Sequence, residues 1–269
     1  MSRIAATFEA LKGRGEKALI PYVTAGDPDL ETTEQIVHAL VANGADLIEL
    51  GVPFSDPMAD GPTIQAASIR ALTAGTTLAG VLDLVRRVRQ HTNVPIILMG
   101  YYNPVFKYGA ELFARDASEA GVDGVLLVDL PFEETPELRS FLQPAGIACI
   151  TLLAPTSPPD RRRKLAAEAE GFIYYVSMTG VTGSARVDPS VVAPDVTELR
   201  GHAAVPVAVG FGISSAEDAA AVAQFADAVV VGSALVKIIE AYGQSPDMLD
   251  RVGEYVAALK AGMGNDASE

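Results

Sequence analysis

The stretch Leu47-Ile48-Glu49-Leu50-Gly51-Val52-Pro53-Phe54-Ser55-Asp56-Pro57-Met58-Ala59-Asp60-Gly61-Pro62 reads as a buried strand, a stiff loop and the start of a helix. The strand runs from Asp46 to Leu50, bounded by Gly44 and Gly51. Alternation puts Glu49 on one face with Leu47 and Gly51, opposite Ile48 and Leu50. A carboxylate in such a strand is costly, because Glu is rarely fully buried unless it is paired. It marks either a structural ion pair or an active site. Pro53, Pro57 and Pro62 restrict the loop, while Gly51 and Gly61 allow its turns, so Asp60 is held near the strand's end. Taken singly, Asp60 and Asp56 also suit turn or capping positions, and Pro62 suits the first position of a helix.

Working outward, the segment from Leu30 to Asn43 has Ile36, Val37, Leu40 and Val41 on one helical stripe, with Gly44 to end it and Asp29 or Asp27 to cap its start. Apolar β-type runs recur at Ala18 to Val23, Asp46 to Leu50, Val94 to Gly100, Gly124 to Asp129, Ile147 to Leu152, Phe172 to Val176, Val205 to Val209 and Ala228 to Val231. Helical patterns fall between them, at Pro62 to Ala74, Leu78 to His91, Gly109 to Ala120, Glu133 to Gln143, Pro158 to Glu168, Pro189 to Arg200 and Ser214 to Gln224. Ser214 and Glu217 have the spacing of a capping box, and Asp247 to Ala261 reads as the last helix. Near-continuous apolar strands with helical crossovers imply a parallel sheet, and eight such units favour a closed (β/α)8 TIM barrel. A doubly wound open sheet is the alternative fold.

The chain has 269 residues, 49% of them hydrophobic, and no linker or low-complexity segment divides it, which suits one α/β domain over residues 1–269. Residues 262–269 are small and polar, the composition of a loose tail. Twenty Lys and Arg against 34 Asp and Glu leave a net charge of −14, which argues against nucleic acid or anionic membrane as partners. Ile4, Phe8 and Leu11 share one helical face, so the N-terminus reads as a capping helix rather than a signal peptide, and no segment has the length and apolarity of a membrane span. Cys149 is the only cysteine and lies in an apolar run. It reads as a packed core residue, and its solitude points to a reducing cytoplasm.

Active sites of (β/α)8 barrels lie at the C-terminal ends of the strands. Here those ends carry Gly51 to Asp60, Gly100 to Pro104, Val128 to Pro131, Ser177 to Ser184, Gly210-Phe211-Gly212 and Gly232-Ser233. Thr182-Gly183, Gly210-Phe211-Gly212 and Gly232-Ser233 suit a phosphate site, because glycine lets backbone N–H groups approach an anion and Ser233 opens a short helix over Ala234 to Ile239. Each pair alone would be an ordinary turn. The small, polar stretch Ser177 to Arg186 has the composition of a lid. His38, His91 and His202 have no ligand spacing and do not suggest a metal centre. Tyr102, Tyr174, Tyr175 and Phe211 suit core or pocket wall equally.

The segments Leu19 to Pro28, Glu49 to Pro57 and Ala59-Asp60-Gly61-Pro62 resemble the tryptophan synthase alpha subunit family, as do Tyr174 to Ser177, Thr179 to Gly183, Gly210 to Ser214 and Gly232 to Glu240. The match spans nearly the whole chain in family order, and its Glu49 to Pro62 motif is highly specific. Tyr22 and Met58 depart from the Phe and Leu common in the family, which touches only fine pocket shape. The resemblance implies a lyase that cleaves indole-3-glycerol phosphate to indole and glyceraldehyde 3-phosphate, with no cofactor on this subunit. It implies Glu49 as the proton-transfer residue, favoured neutral by apolar surroundings, and Asp60 on the wetter loop as an ionised acceptor for the indole N–H. It implies a phosphate held by Gly183, Phe211, Gly212, Gly232 and Ser233, an indole pocket walled by Tyr102, Tyr175 and Phe211 near Tyr22, and Thr182 bonding Asp60. It also implies a pyridoxal-phosphate-dependent beta subunit as partner, in an alpha2beta2 tetramer; Phe54 and Met58 of the loop suit either packing back onto the barrel or an interface, and the resemblance favours the interface.

Three rival readings stand beside this one. A phosphate-sugar isomerase keeps the glycine site but leaves the Glu49 to Pro62 motif unexplained. A catalytically silent barrel regulating a partner conflicts with the presence of both carboxylates, and a structural role has nothing in the sequence to support it.

Overall fold

Among the described residues, the β-branched and aliphatic runs of the sequence form nine parallel strand segments: β1 (Ala18–Thr24), β2 (Ile48–Gly51), β3 (Ile96–Gly100), β4 (Gly124–Leu127), β5 (Ala148–Cys149), β6 (Thr151–Leu153), β7 (Ile173–Val176), β8 (Val207–Gly210) and β9 (Ala228–Val231). The structure is a computed structural model and describes residues 1–177, 188–210 and 212–264. The strands hydrogen-bond in the order β5-β4-β3-β2-β1-β9-β8-β7-β6. Only Ile150 separates β5 from β6, so that order begins and ends on the two halves of one strand, and the sheet is a nearly closed barrel ringed by helices.

The expected fifth strand is therefore a split one. Its first half pairs with β4 (Gly124↔Ala148, Val125↔Cys149) and its second half with β7 (Thr151↔Ile173). Ile150 bridges the two by donating its N–H to the Val125 carbonyl at 2.8 Å. Beyond that bond β4 and β6 diverge, and a cavity of about 270 Å³ opens beside them, lined by Leu127, Leu130, Cys149 and Thr151 among others. Cys149 is half-buried on this cavity rather than fully packed in the core, because its outward-facing position lies at the gap.

Alternation divides the apolar residues into two layers. Leu47, Ile97, Met99, Leu126, Phe172, Tyr22 and Tyr174 point inward and form the barrel interior, with Ile4, Phe8 and Leu11 of the N-terminal helix Arg3–Gly13 as part of the same cluster. That helix plugs the barrel as the sequence suggested, Phe8 meeting Phe172 at 6.2 Å between ring centroids. Ile48, Leu50, Leu98, Val125, Ile173 and Tyr175 point outward into a larger cluster with the surrounding helices.

Most expected helices form within a few residues of their expected bounds, and the differences have local causes. The helix Tyr102–Tyr108 replaces an expected loop after β3. Glu133 to Gln143 begins as a 3-10 turn, Phe132–Glu134, and becomes α-helical at Pro136–Leu142, because Pro136 suits the first helical turn and not a helix interior. The capping box uses Ser215 and Asp218, one residue beyond the expected pair. Asp29 caps Leu30–Ala42, and Asp27 is engaged elsewhere. The last helix, Met248–Gly264, continues past Ala261 because Gly262 lies flush on Ala216, where a Cβ would meet the Ala216 carbonyl oxygen at 2.9 Å. No single helix among the described residues is long and apolar enough to cross a membrane.

Candidate active site

Strand register places Glu49 beside Tyr22 on β1 and Ile97 on β3, all on the inward face. The residue is 1% exposed, and neither carboxylate oxygen has a hydrogen-bond partner among the described residues. Burial without compensation raises its pKa to about 8, so the carboxyl is protonated at neutral pH. The structural ion pair allowed by the sequence is thus not what this Glu makes.

Asp60 follows the proline-restricted loop and precedes Gly61, the N-cap of the helix Pro62–Thr73. Gln65 reaches back to donate to the Asp60 carbonyl at 2.8 Å. The carboxyl is 9% exposed rather than on a wet loop, because Tyr101 lies over it. The Tyr101 hydroxyl accepts the Ala59 N–H at 3.0 Å and donates to Asp60. Burial raises the Asp60 pKa to about 6, partly offset by that hydrogen bond, which leaves a carboxylate at neutral pH. Two carboxyl groups thus stand in opposite protonation states at one end of the barrel.

Tyr101 is a site residue that sequence reasoning passed over in favour of Tyr102. Tyr102 is half-buried, its ring centroid 6.0 Å from that of Phe106, and packs toward the outer cluster. The signal lay in strand parity, since Ile97 and Met99 face the interior and Tyr101, buried just past the end of β3, continues the same alternation. The same one-residue distinction corrects Tyr175. Its side chain is fully buried in the outer layer, with its hydroxyl donating to Asp195 at 2.5 Å, so it does not wall the interior. Tyr174 is the inward residue of the pair, near enough to Glu49 for the carboxyl to raise its pKa, after burial the largest cause.

Two glycines make room for the inward phenols. A Cβ at Gly51 would lie 2.1 Å from the Tyr22 hydroxyl, and one at Gly210 would lie 2.2 Å from the Tyr174 hydroxyl. The Tyr22 hydroxyl meets Thr24 Oγ1 at 3.2 Å.

Gly232 is the N-cap of the helix Ser233–Tyr242, with no side-chain cap over the first turn, so its backbone N–H groups and positive dipole end are open to an anion. Gly212, after β8, has φ +75, a conformation glycine adopts at little cost. These two segments lie at the ends of adjacent strands β8 and β9. Thr182, Gly183 and Phe211 lie outside the described residues, as does the expected lid apart from Ser177.

In the loop, Phe54 and Met58 part ways. Phe54 is half-buried with its ring 5.2 Å from that of Tyr101, whereas Met58 is 81% exposed.

Comparison with known proteins gives one answer. The family model described as "Tryptophan synthase alpha chain" matches residues 8–263. Curated proteins of that name from Geotalea uraniireducens and Geobacter sulfurreducens are 59% and 55% identical, covering 98% of this chain and 98% and 100% of their own lengths. Among solved structures, tryptophan synthase subunit alpha from Legionella pneumophila superposes with a TM-score of 0.91 at 42% identity, covering 99% of this chain and 100% of that one. A chain of tryptophan synthase from M. tuberculosis in an aminoacrylate-bound form gives 0.87 at 33% identity, covering 98% and 100%.

Proposed function

Because this chain belongs to the tryptophan synthase alpha chain family, a lyase that cleaves indole-3-glycerol phosphate to indole and glyceraldehyde 3-phosphate, we propose that Glu49 and Asp60 carry the chemistry. A retro-aldol cleavage needs a proton delivered to indole C3, a proton taken from the side-chain hydroxyl next to the breaking bond, and stabilisation of the positive charge that forms at the indole nitrogen. Glu49, protonated at neutral pH, gives its proton to C3 and as a carboxylate receives the hydroxyl proton, which restores its starting state. Asp60, ionised, accepts the indole N–H and stabilises the charge there, with Tyr101 fixing its orientation. The observation that supports this most is the pair of pKa shifts, Glu49 to about 8 and Asp60 to about 6, in carboxyls at one barrel mouth.

Gly212, Gly232 and Ser233 hold the phosphate in this reading, with Gly183, Thr182 and Phe211 completing that end of the site. Tyr22 and Tyr174 form the inner pocket wall. Family membership implies a tryptophan synthase beta subunit as partner, and we read the assembly as an alpha2beta2 tetramer in the cytoplasm. Met58, exposed on the loop that carries Asp60, suits contact with that partner. Docking there orders the loop and raises lyase activity.

Indole release from indole-3-glycerol phosphate by the purified chain, alone and mixed with the beta chain, tests the reading. Slow release alone and faster release in a co-eluting complex is the expected result. No release under either condition would overturn the assignment, and a complex without a change in rate would overturn the coupling.

A further inference from the structure

The loop after β1 is locked from several sides. The Gly26 N–H bonds Thr33 Oγ1 at 3.0 Å, and the Thr76 side chain fills the space a Cβ at Gly26 would need, 1.9 Å away. Next to Gly26, Asp27 is 3% exposed, and Arg70 binds it through two parallel bonds, Nε to Oδ1 at 2.7 Å and Nη2 to Oδ2 at 2.8 Å. The remaining guanidinium nitrogen, Nη1, donates to Glu240 Oε1 at 2.8 Å. One side chain thus spans three elements: the β1 loop, the helix Pro62–Thr73 that starts just after Asp60, and the helix Ser233–Tyr242 whose uncapped N-terminus is the proposed phosphate cradle. Those two helices also pack on each other, with Ile64, Ala67 and Val236 sharing the interior cluster.

We propose that Arg70 is a positioning residue that couples the phosphate end of the site to the Asp60 end, so that each half of the substrate binds better when the other half is in place. The inference rests on the lyase reading for the identity of the ligands, but not for the geometry. A planar guanidinium with fixed donors holds two carboxylates at a set separation and angle. The Asp27 bonds anchor it to a buried carboxylate in a loop that cannot move freely, so a shift of the phosphate helix through Glu240 is passed to the helix behind Asp60. A lysine at position 70 has one compact ammonium. It can neutralise Asp27 but cannot make the paired bonds and reach Glu240 as well.

The chain contains no tryptophan, so indole fluorescence reports the ligand against a background free of that chromophore. The experiment is titration of indole, with and without saturating glycerol 3-phosphate, into the full chain and into Arg70→Lys and Glu240→Gln. Linked sites of this kind change each other's affinity by about 5- to 150-fold. The native chain is expected within that range, with Arg70→Lys falling to within twofold of no coupling and Glu240→Gln falling partway. Glu240 is a half-exposed partner, so its substitution leaves the fold intact and decides the matter if Arg70→Lys is unfolded by circular dichroism. A coupling ratio unchanged in folded Arg70→Lys, or unchanged in Glu240→Gln if the first variant does not fold, overturns the proposal. A native chain that cleaves indole-3-glycerol phosphate but shows no coupling overturns it too and leaves the lyase reading standing. A chain that shows coupling without cleavage would instead remove the lyase reading.

Discussion

At Glu49, burial does the work that a charged neighbour does in many other enzymes. The carboxyl is held neutral by desolvation alone, while Asp60, under the Tyr101 hydroxyl, ionises about two pH units lower. In the proposed mechanism cleavage needs Asp60 ionised and Glu49 protonated, so kcat/KM is expected to rise through about pH 6 and fall through about pH 8, read from initial rates across that range. Glu49→Gln and Asp60→Asn are each expected to lose roughly 10²- to 10⁴-fold in rate while staying folded, and near-normal turnover in either folded variant would refute the assignment. The same shift has a stability consequence. The folded state of a group raised from 4.5 to about 8 binds more protons than the unfolded state across that window, so its contribution is fully present below 4.5 and declines as pH rises to about 8. Denaturant unfolding should show Glu49→Gln gaining on the native chain across that span, by an amount on the order of a few kcal/mol at its upper end. Both carboxylates were legible in the sequence because each interrupts a pattern, one an apolar strand and the other a proline-stiffened loop. Tyr101 was not, and Tyr174 was not separated from Tyr175, because each belongs to a Tyr-Tyr pair. Parity separates the members of such a pair only once the face turned to the barrel interior is known.

At the scale of elements, the inner layer works by matching a large ring to a missing side chain on the next strand. Gly51 faces Tyr22 and Gly210 faces Tyr174, so these glycines are spatial requirements and not turn punctuation. Gly51→Ala is expected to lower stability by about 1–3 kcal/mol through overpacking, with partial rescue by Tyr22→Phe, which removes the closest contact. Thermal unfolding of the single and double variants checks this, and additive losses would show that the ring and the glycine are not coupled. Gly212 differs in kind, because its φ of +75 makes any replacement strained. Gly212→Val should weaken glycerol 3-phosphate binding and also cost about 1–2 kcal/mol of stability, so an unperturbed fold is not expected of it. The strands themselves were readable from their β-branched runs, as was the plugging helix from Ile4, Phe8 and Leu11. The helix Tyr102–Tyr108 was obscured because Asn103-Pro104 reads as a turn signal, whereas in place Pro104 lies in the first helical turn, where its missing N–H costs nothing.

Over the whole molecule, the ring of strands is fastened unevenly. Along most of its circumference each strand has a neighbour on both sides over several residues, as β1 has in β2 and β9. At the split strand, two paired positions and the Ile150 bond to Val125 carry the join between β4 and the second half of the barrel; β8 and β9 also pair at two positions, but each is held at four on its other side, whereas β5 has no second neighbour. The sequence gives no warning of this, since Ile147 to Leu152 is an unbroken apolar run. A hoop with one short clasp does not loosen at random. Its backbone protons should trade with solvent first where the clasp lies, and native-state hydrogen exchange is expected to find the Ala148 and Ile150 amides less protected than those of Val229 and Val230 on the opposite side. If these amides exchanged together, only with global unfolding, the join would be as strong as the rest. If they exchange early, the barrel breathes along a fixed line that lies away from the strand bearing Glu49, and the buried carboxyl stays dry while the hoop flexes.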